Sequence, residues 1–417
     1  MSSVDPTRAG QPPARSYHRI AFSLVAAALA SGCAHQAAHN VSDARPASQA
    51  SPWAAPTSTV QWNEYASELI AANKVGQFPA LRTLAYVNLA VNDAVVLARK
   101  QGIEPEGAAA GAAAGALAHF FPKEDKAIAA RLASERFALG SGYRADFETG
   151  LEIGRNAAAD VVALAKKDGA AVSWSGTVPS GRDKWASLTT PPSAPLGPQL
   201  GAVRPFFLTT ASEFRAPPPP ALDSPEFRAT LGEVRKISDG RTYEQLRYAR
   251  YWENLTGAFT AGVWNELARE AIAARGLGEA QSAHVLAVMH MTGFDAILAC
   301  HESKYVYWVP RPTQLDPQIT VAVGVPNHPS YPSNHACISG AMARVLDAQF
   351  PEQRGRFAAM ARQAAESRVY AGIHYRIDID EGLKIADRVG TRALKTPVPT
   401  AHATVPARSD DAMVRND

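Results

Sequence analysis

Three cysteines in 417 residues, at positions 33, 300 and 337, are too few for a disulfide-stapled scaffold. Charge of one sign is lacking too. Forty-two Lys and Arg face 39 Asp and Glu, for a net charge of +3, and the basic residues are scattered without a dense cluster. That balance excludes a nucleic-acid binder and leaves a small-molecule ligand as the expected partner. Strand-like alternation of Val, Ile and Thr is scarce, which argues against a sheet. The apolar run Ile20 to Ala30 is too short to span a bilayer, and no multi-helix membrane domain is present, which argues against an integral lipid enzyme. Equally absent are a His-Glu-x-x-His zinc motif, a Gly-x-Ser-x-Gly nucleophile elbow and a Gly-x4-Gly-Lys phosphate loop.

What is present is alanine, in long stretches, and with it an all-α expectation, because Ala has the best intrinsic helix propensity. Leu84, Val87, Val91 and Val95 recur at three- and four-residue spacing, and 108–120, 124–139 and 146–167 read similarly, broken by Pro122 and Gly140-Ser141-Gly142. Arg15 and Arg19 precede the apolar run, and Ser31-Gly32-Cys33 comes after it. This looks like a bacterial lipoprotein signal over 1–33, with Cys33 lipidated as the mature N-terminus; an ordinary secretory signal is the alternative. Both place the protein outside the cytoplasm, periplasmic and, on the first reading, held to the membrane only by a lipid anchor. Residues 34–58 suit a flexible tether, 59–395 a helical body and 396–417 a disordered tail. Cys300 and Cys337 either pair in an oxidising compartment or stay as two buried thiols.

The body repeats itself. Trp62-Asn63-Glu64-Tyr65-Ala66 returns as Trp264-Asn265-Glu266-Leu267-Ala268. At the same offset of 202, Leu84-Ala85 matches Leu286-Ala287 and Asp93-Ala94 matches Asp295-Ala296. From 62 to 94, 13 of 33 positions are identical to their partners, where chance gives roughly two or three. We therefore expect two related helical bundles from an internal duplication: one half at 59–171, a Pro-rich connection at 172–225 and a second half at 226–395. Subtracting 202 from Lys304, Arg311, His335 and His374 lands on Gly102, Ala109, Ala133 and Val172. The first half thus reads as scaffold.

Three segments of the second half concentrate chemistry: Lys304, six residues, Arg311-Pro312; Pro332-Ser333-Asn334-His335; and Ser367-Arg368, five residues, His374, three residues, Asp378. In order and in spacing these resemble the Lys-x6-Arg-Pro, Pro-Ser-Gly-His and Ser-Arg-x5-His-x3-Asp motifs of the vanadium haloperoxidase and type 2 phosphatidic acid phosphatase superfamily. The likeness extends over about 60–390, toward bacterial haloperoxidase-type members. It implies His374 as the residue that binds vanadium or attacks phosphorus, and His335 as the general acid/base. Asp378 occupies the last motif position; if its segment is helical, it shares a face with His374 and could orient a neighbouring cation. The one departure is Asn334, where the family has glycine.

The residues support an oxyanion site in their own right. A phosphate or vanadate carries several negative charges and needs fixed cations and aimed donors. Arg311 and Arg368 offer bidentate contacts, Lys304 a point charge, and Ser333 with the Asn334 amide the start of an Ala-rich helix. Asn tolerates left-handed backbone, so the anion-facing amide can survive the loss of glycine. Two chemistries fit one cradle. With vanadate as cofactor, the resemblance implies halide oxidation by hydrogen peroxide; without a cofactor, it implies an exported acid phosphatase working through a phosphohistidine. The duplicated architecture leans toward the peroxidase, as does His328, whose slot is histidine in bromoperoxidase-like and phenylalanine in chloroperoxidase-like members. A surface-loop histidine is the alternative for His328, and a catalytically silent helical lipoprotein the alternative for the whole chain.

Overall fold

The structure, a computed structural model, describes residues 56–138, 144–254 and 257–401. The expected signal segment with Cys33, the tether up to residue 55, the Gly140-Ser141-Gly142 break and the tail from 402 lie outside the described residues. Within them the protein is all-α, without a strand. Helices α1 (Ser58–Ala72), α2 (Gln77–Lys100), α3 (Glu106–Phe120), α4 (Asp125–Ala138) and α5 (Arg144–Ala165) come first. An irregular stretch separates them from α6 (Pro225–Asp239), α7 (Tyr243–Asn254), α8 (Phe259–Arg275), α9 (Glu279–Tyr307), the single turn α10 (Pro312–Leu315), α11 (Asn334–Gln349), α12 (Arg356–Tyr370) and α13 (Arg376–Lys395).

The offset of 202 carries over into structure. Shifted by it, α1 falls on α8, and α2 begins where α9 begins. Gly76 and Gly278, one offset apart, are both extended N-cap residues. Trp62 and Trp264 are both fully buried, each with its indole N–H satisfied, by Glu135 and Ser339 respectively. Asn63 and Asn88 exchange side-chain hydrogen bonds of 2.8 and 2.9 Å, and at the equivalent positions His290 Nε2 donates to Asn265 Oδ1 at 2.9 Å. Asn265 also donates to the Asn63 carbonyl and to Ser67, which ties one helix pair to the other.

Helix α9 is buried along most of its length and has no solvent-facing polar stripe, as expected of a helix at the centre of a bundle. It and α2 are long and apolar enough to cross a membrane, yet 94% and 83% of their apolar windows are buried inside the protein. In the first half α3 packs on α5 through glycines, and a Cβ on Gly154 would meet the Ala108 carbonyl oxygen at 2.3 Å. The Pro-rich connection forms only short 3-10 turns and runs along α9. Asp295 on α9 fastens it, accepting the backbone N–H groups of Phe206, Phe207 and Leu208. Asp93, its counterpart on α2, accepts the N–H of Ala401. The chain therefore packs against the first half through residues 396–401, beyond the Lys395 end of the last helix, where composition alone suggests the start of a disordered tail. Cys300 and Cys337 are free, buried thiols, and Cys300 donates to the Pro332 carbonyl.

Candidate active site

The three motif segments converge at the end of α9, the start of α11 and the α12–α13 junction. Trp308, with φ +56°, closes α9 in a left-handed C-cap, its N–H on the Lys304 carbonyl. That backbone conformation is costly for a bulky residue, and the Trp308 ring packs near Trp174, Trp185 and Tyr305. The turn brings Arg311 back beside Lys304. On the other side Gly382 of α13 lets the start of α11 approach closely, since a Cβ there would meet Ala336 Cβ at 2.7 Å and the Ser333 oxygen at 3.0 Å. The Ser333 N–H donates to the Asp378 carbonyl at 2.9 Å across this contact.

Lys304, Arg311 and Arg368 are fully buried. The Lys304 ammonium donates to the carbonyls of Pro329 (2.9 Å), Ser330 (2.7 Å) and Pro332, so all three of its protons hold the loop that leads into Ser333. Its contribution to an anion is the charge and the loop it pins. Arg311 donates to the carbonyls of His328 (3.0 Å) and Ile373 (2.8 Å) and to His374 Nε2 (3.0 Å), and its guanidinium lies 3.1 Å from His328 Nδ1, which is also 3.1 Å from the Pro329 carbonyl. Arg368 donates to Ser367 Oγ, to the Ala249 carbonyl and to Glu253 (2.8 Å). At least one N–H of Arg311 and two of Arg368 are left over from the five that each guanidinium carries.

His374 has a defined tautomer. Arg311 can only donate, so Nε2 holds a lone pair, and Nδ1–H donates to Asp378 Oδ2 at 2.7 Å. Burial, then Arg311 and Lys304, hold this imidazole well below its ordinary pKa, so it is neutral. His374 precedes α13 rather than lying on it. Asp378, in the first turn of α13, reaches back to His374, to the Tyr375 N–H (3.1 Å) and to the Ser330 hydroxyl (2.5 Å), and so orients a neutral imidazole where the motif spacing suggests a cation. Burial raises Asp378 to about 6 against the pull of Ser330 and Lys304.

His335, half-buried on α11, donates through Nε2 to the Trp252 carbonyl at 2.7 Å, which leaves Nδ1 as its basic atom. Burial and Arg368 hold it neutral, well below its usual pKa. His328 lies in the buried Arg311 network rather than on a surface loop. Asn334 is the first residue of α11 and is not among the residues of positive φ, so the position does not demand glycine's conformational freedom. Its side chain, 4% exposed, donates to His301 Nε2 at 3.0 Å.

Sequence reasoning missed His301, Ser330, Glu253 and the carbonyls of Ala249 and Trp252. His301 carried a signal, one turn before Lys304 on the same helix, and Ser330 lies between His328 and Ser333; nothing local marks the α7 groups. The donor set fits a tetrahedral oxyanion. Three buried cations face two carboxylates, Asp378 and the partly exposed Glu253, leaving positive charge uncompensated. Ser333 Oγ is buried without a partner among the described residues, and the first amides of α11 have no acceptor within their helix. A vanadate would be held by His374 Nε2, Ser333, these amides and the two guanidinium groups.

Comparison with known proteins bears on the fold and on the segment that carries the three motifs. The family model described as the PAP2 superfamily matches residues 283–396, which include all three motif segments. The solved structure of the first bacterial vanadium-dependent iodoperoxidase is similar over 81% of this chain and 95% of its own, with a TM-score of 0.72 and 22% identity. Apo-type and holo-type bacterial vanadium-dependent chloroperoxidase structures are similar over 77% and 82% of this chain and 94% and 96% of theirs, with TM-scores of 0.63 and 0.62 and 16% identity. No curated protein matches at the significance required. The chain thus carries a segment, residues 283–396, that the PAP2 superfamily model matches, set in an all-helical fold shared with bacterial vanadium-dependent haloperoxidases.

Proposed function

We propose that the protein is a vanadate-dependent haloperoxidase that oxidises halide with hydrogen peroxide. The observation that carries this reading is His374: a neutral imidazole, its Nδ1 proton locked on Asp378, its Nε2 lone pair set among buried cations. Such an atom has no proton to lose and needs only to be released from the Arg311 hydrogen bond to bond a tetrahedral centre. Vanadate, when bound, supplies a Lewis-acidic centre that activates peroxide toward halide. Arg311 and Arg368 bind and orient the oxyanion, and Lys304 keeps the 329–333 loop and its helix start in place. His335 moves the proton at Nδ1. An incoming anion beside it offsets Arg368 and raises its pKa toward neutrality, where proton transfer is efficient. His328, bonded to Arg311, is the candidate for tuning halide preference.

A second reading rests on the same lone pair. His374 Nε2 can attack a phosphate monoester, with His335 Nδ1 protonating the leaving oxygen once the anion has raised its pKa. Vanadate content after incubation and dialysis, measured alongside bromide-dependent peroxidase and generic phosphatase assays on one sample, separates the two. Stoichiometric vanadate with peroxidase turnover supports the first reading; phosphate release inhibited by vanadate, without peroxidase turnover, supports the second; neither vanadate binding nor turnover sinks both. We further propose export and lipidation at Cys33. The wild type should then partition into detergent and Cys33→Ala should not; a fully aqueous wild type overturns the lipid anchor.

A further inference from the structure

Three buried polar atoms of the site have no partner among the described residues: Ser333 Oγ, Asn334 Oδ1 and Asp378 Oδ1. Ser333 is a donor waiting for an anion oxygen. Asn334 is the unexpected one, because an acceptor beside an anion-binding helix start is repulsive unless the anion itself brings a proton.

The orientation of that amide is set by a chain of hydrogen bonds. The Gly197 carbonyl can only accept, and it lies 3.2 Å from His301 Nδ1, so Nδ1 carries the proton of the ring. Nε2 is then the bare nitrogen, and Asn334 must present its NH2 group to it, at 3.0 Å. Flipping the amide would need a doubly protonated His301, and burial with Lys304 nearby holds that ring to a pKa of about 3. Asn334 directly follows Ser333 at the start of α11, and the His301 ring that holds its amide lies 5.3 Å from that of His328, itself beside Arg311, so the amide sits next to the residues of the oxyanion cradle. The Pro-rich connection, through Gly197, thereby sets which way an active-site amide faces.

We infer that Asn334 Oδ1, held by His301, accepts a hydrogen bond from a protonated oxygen of the bound anion and makes the site selective for hydrogen-bearing tetrahedral oxyanions. This rests on the oxyanion-site reading above and deepens it. Orthophosphate and orthovanadate near neutrality carry at least one O–H and can satisfy Asn334 while their bare oxygens take Ser333 and the guanidinium groups. Sulfate carries none at that pH, so one of its oxygens would face Oδ1 lone pair to lone pair. Asn334 is on this account a specificity residue and His301 a positioning residue.

The test is equilibrium binding by calorimetry at neutral pH, with inorganic phosphate and sulfate as probes, on the full chain and on two variants checked for folding by thermal unfolding. Wild type should prefer phosphate. Asn334→Gly removes the acceptor and should shrink the phosphate-to-sulfate preference by about tenfold, the range of one charge-assisted hydrogen bond. His301→Phe keeps a ring of similar size but frees the amide to turn its NH2 toward the anion, so sulfate should bind more tightly than to wild type. If both anions bind and neither variant changes the ratio, the selectivity inference is overturned while the oxyanion site stands. If wild type binds neither anion, the oxyanion reading falls and this inference with it. Should Asn334→Gly fail to fold, the sulfate affinity of His301→Phe decides alone.

Discussion

The helix pair α1/α2 and the helix pair α8/α9 share an N-cap glycine, a buried Trp, a buried polar pair and an Asp that fastens an irregular segment. They differ at their C-terminal ends. Helix α2 ends at Lys100 with no motif cation beyond it, whereas α9 runs on to Lys304 and turns at Trp308 to deliver Arg311. These features of the framework are therefore common to both pairs, and the motif cations are an addition at the end of one. The polar pair shows a smaller divergence of the same kind, Asn63 with Asn88 in one and Asn265 with His290 in the other.

The largest expected effect breaks the comparison on its chemical side. His374→Ala removes the atom assigned the covalent role, and turnover should fall by roughly a thousandfold or more, with vanadate retention lost. Steady-state kinetics and vanadate content after dialysis measure both. Near-normal activity in this variant would show the role assignment to be wrong. His335→Ala should be distinguishable: the anchor and cations remain, so vanadate stays bound, while turnover drops about a hundredfold and the pH–rate profile loses a limb. Loss of all oxyanion binding in His335→Ala, with retention in His374→Ala, would reverse the two roles.

Removal of the shared framework should cost stability instead. Asn265→Ala abandons His290, the Asn63 carbonyl and Ser67, at a cost of roughly 1–3 kcal/mol seen in denaturant unfolding. Asn63→Ala loses only the contacts of its own pair and the Thr59 carbonyl and should cost less. An equal or larger loss for Asn63→Ala would mean the link between the helix pairs is not where the strain falls. The smallest effect sharpens the comparison by pH. Burial depresses His290 from 6.5 to about 3. Between those values the unfolded chain binds the proton and the folded chain does not, so its contribution is present above about pH 6.5 and is lost on acidification toward pH 3. By pH 5 the loss is roughly 2 kcal/mol. His290→Asn, which copies the residue found at position 88, should flatten this acid limb and leave stability at pH 7 within about 1 kcal/mol. An unchanged acid limb in that variant would remove His290 as its cause.

Much of this was legible in one dimension. Helical periodicity, alanine content and the 202-residue offset describe local and repeated preferences, and the observed helices agree with them because an amphipathic stripe of period 3.6 can be buried only as a helix. The three motifs were legible because their spacing is read within single segments. The role of Lys304 was not, since the carbonyls that take its protons lie 25–28 residues away. Glu253 and Trp252 were invisible for the same reason: α7 meets α12 and the start of α11 only in three dimensions.

Sequence by itself determined the helical class, the internal correspondence and the inventory of cations and histidines, all of which depend on residue type and on spacing along one chain. Tertiary structure decided protonation, orientation and partnership. Which nitrogen of His374 is bare, which way the Asn334 amide faces and whether Lys304 points at an anion or holds a loop all depend on which carbonyl or carboxylate arrives from a distant segment. A buried donor or acceptor must find a partner wherever the fold brings one, and that choice has no local signature.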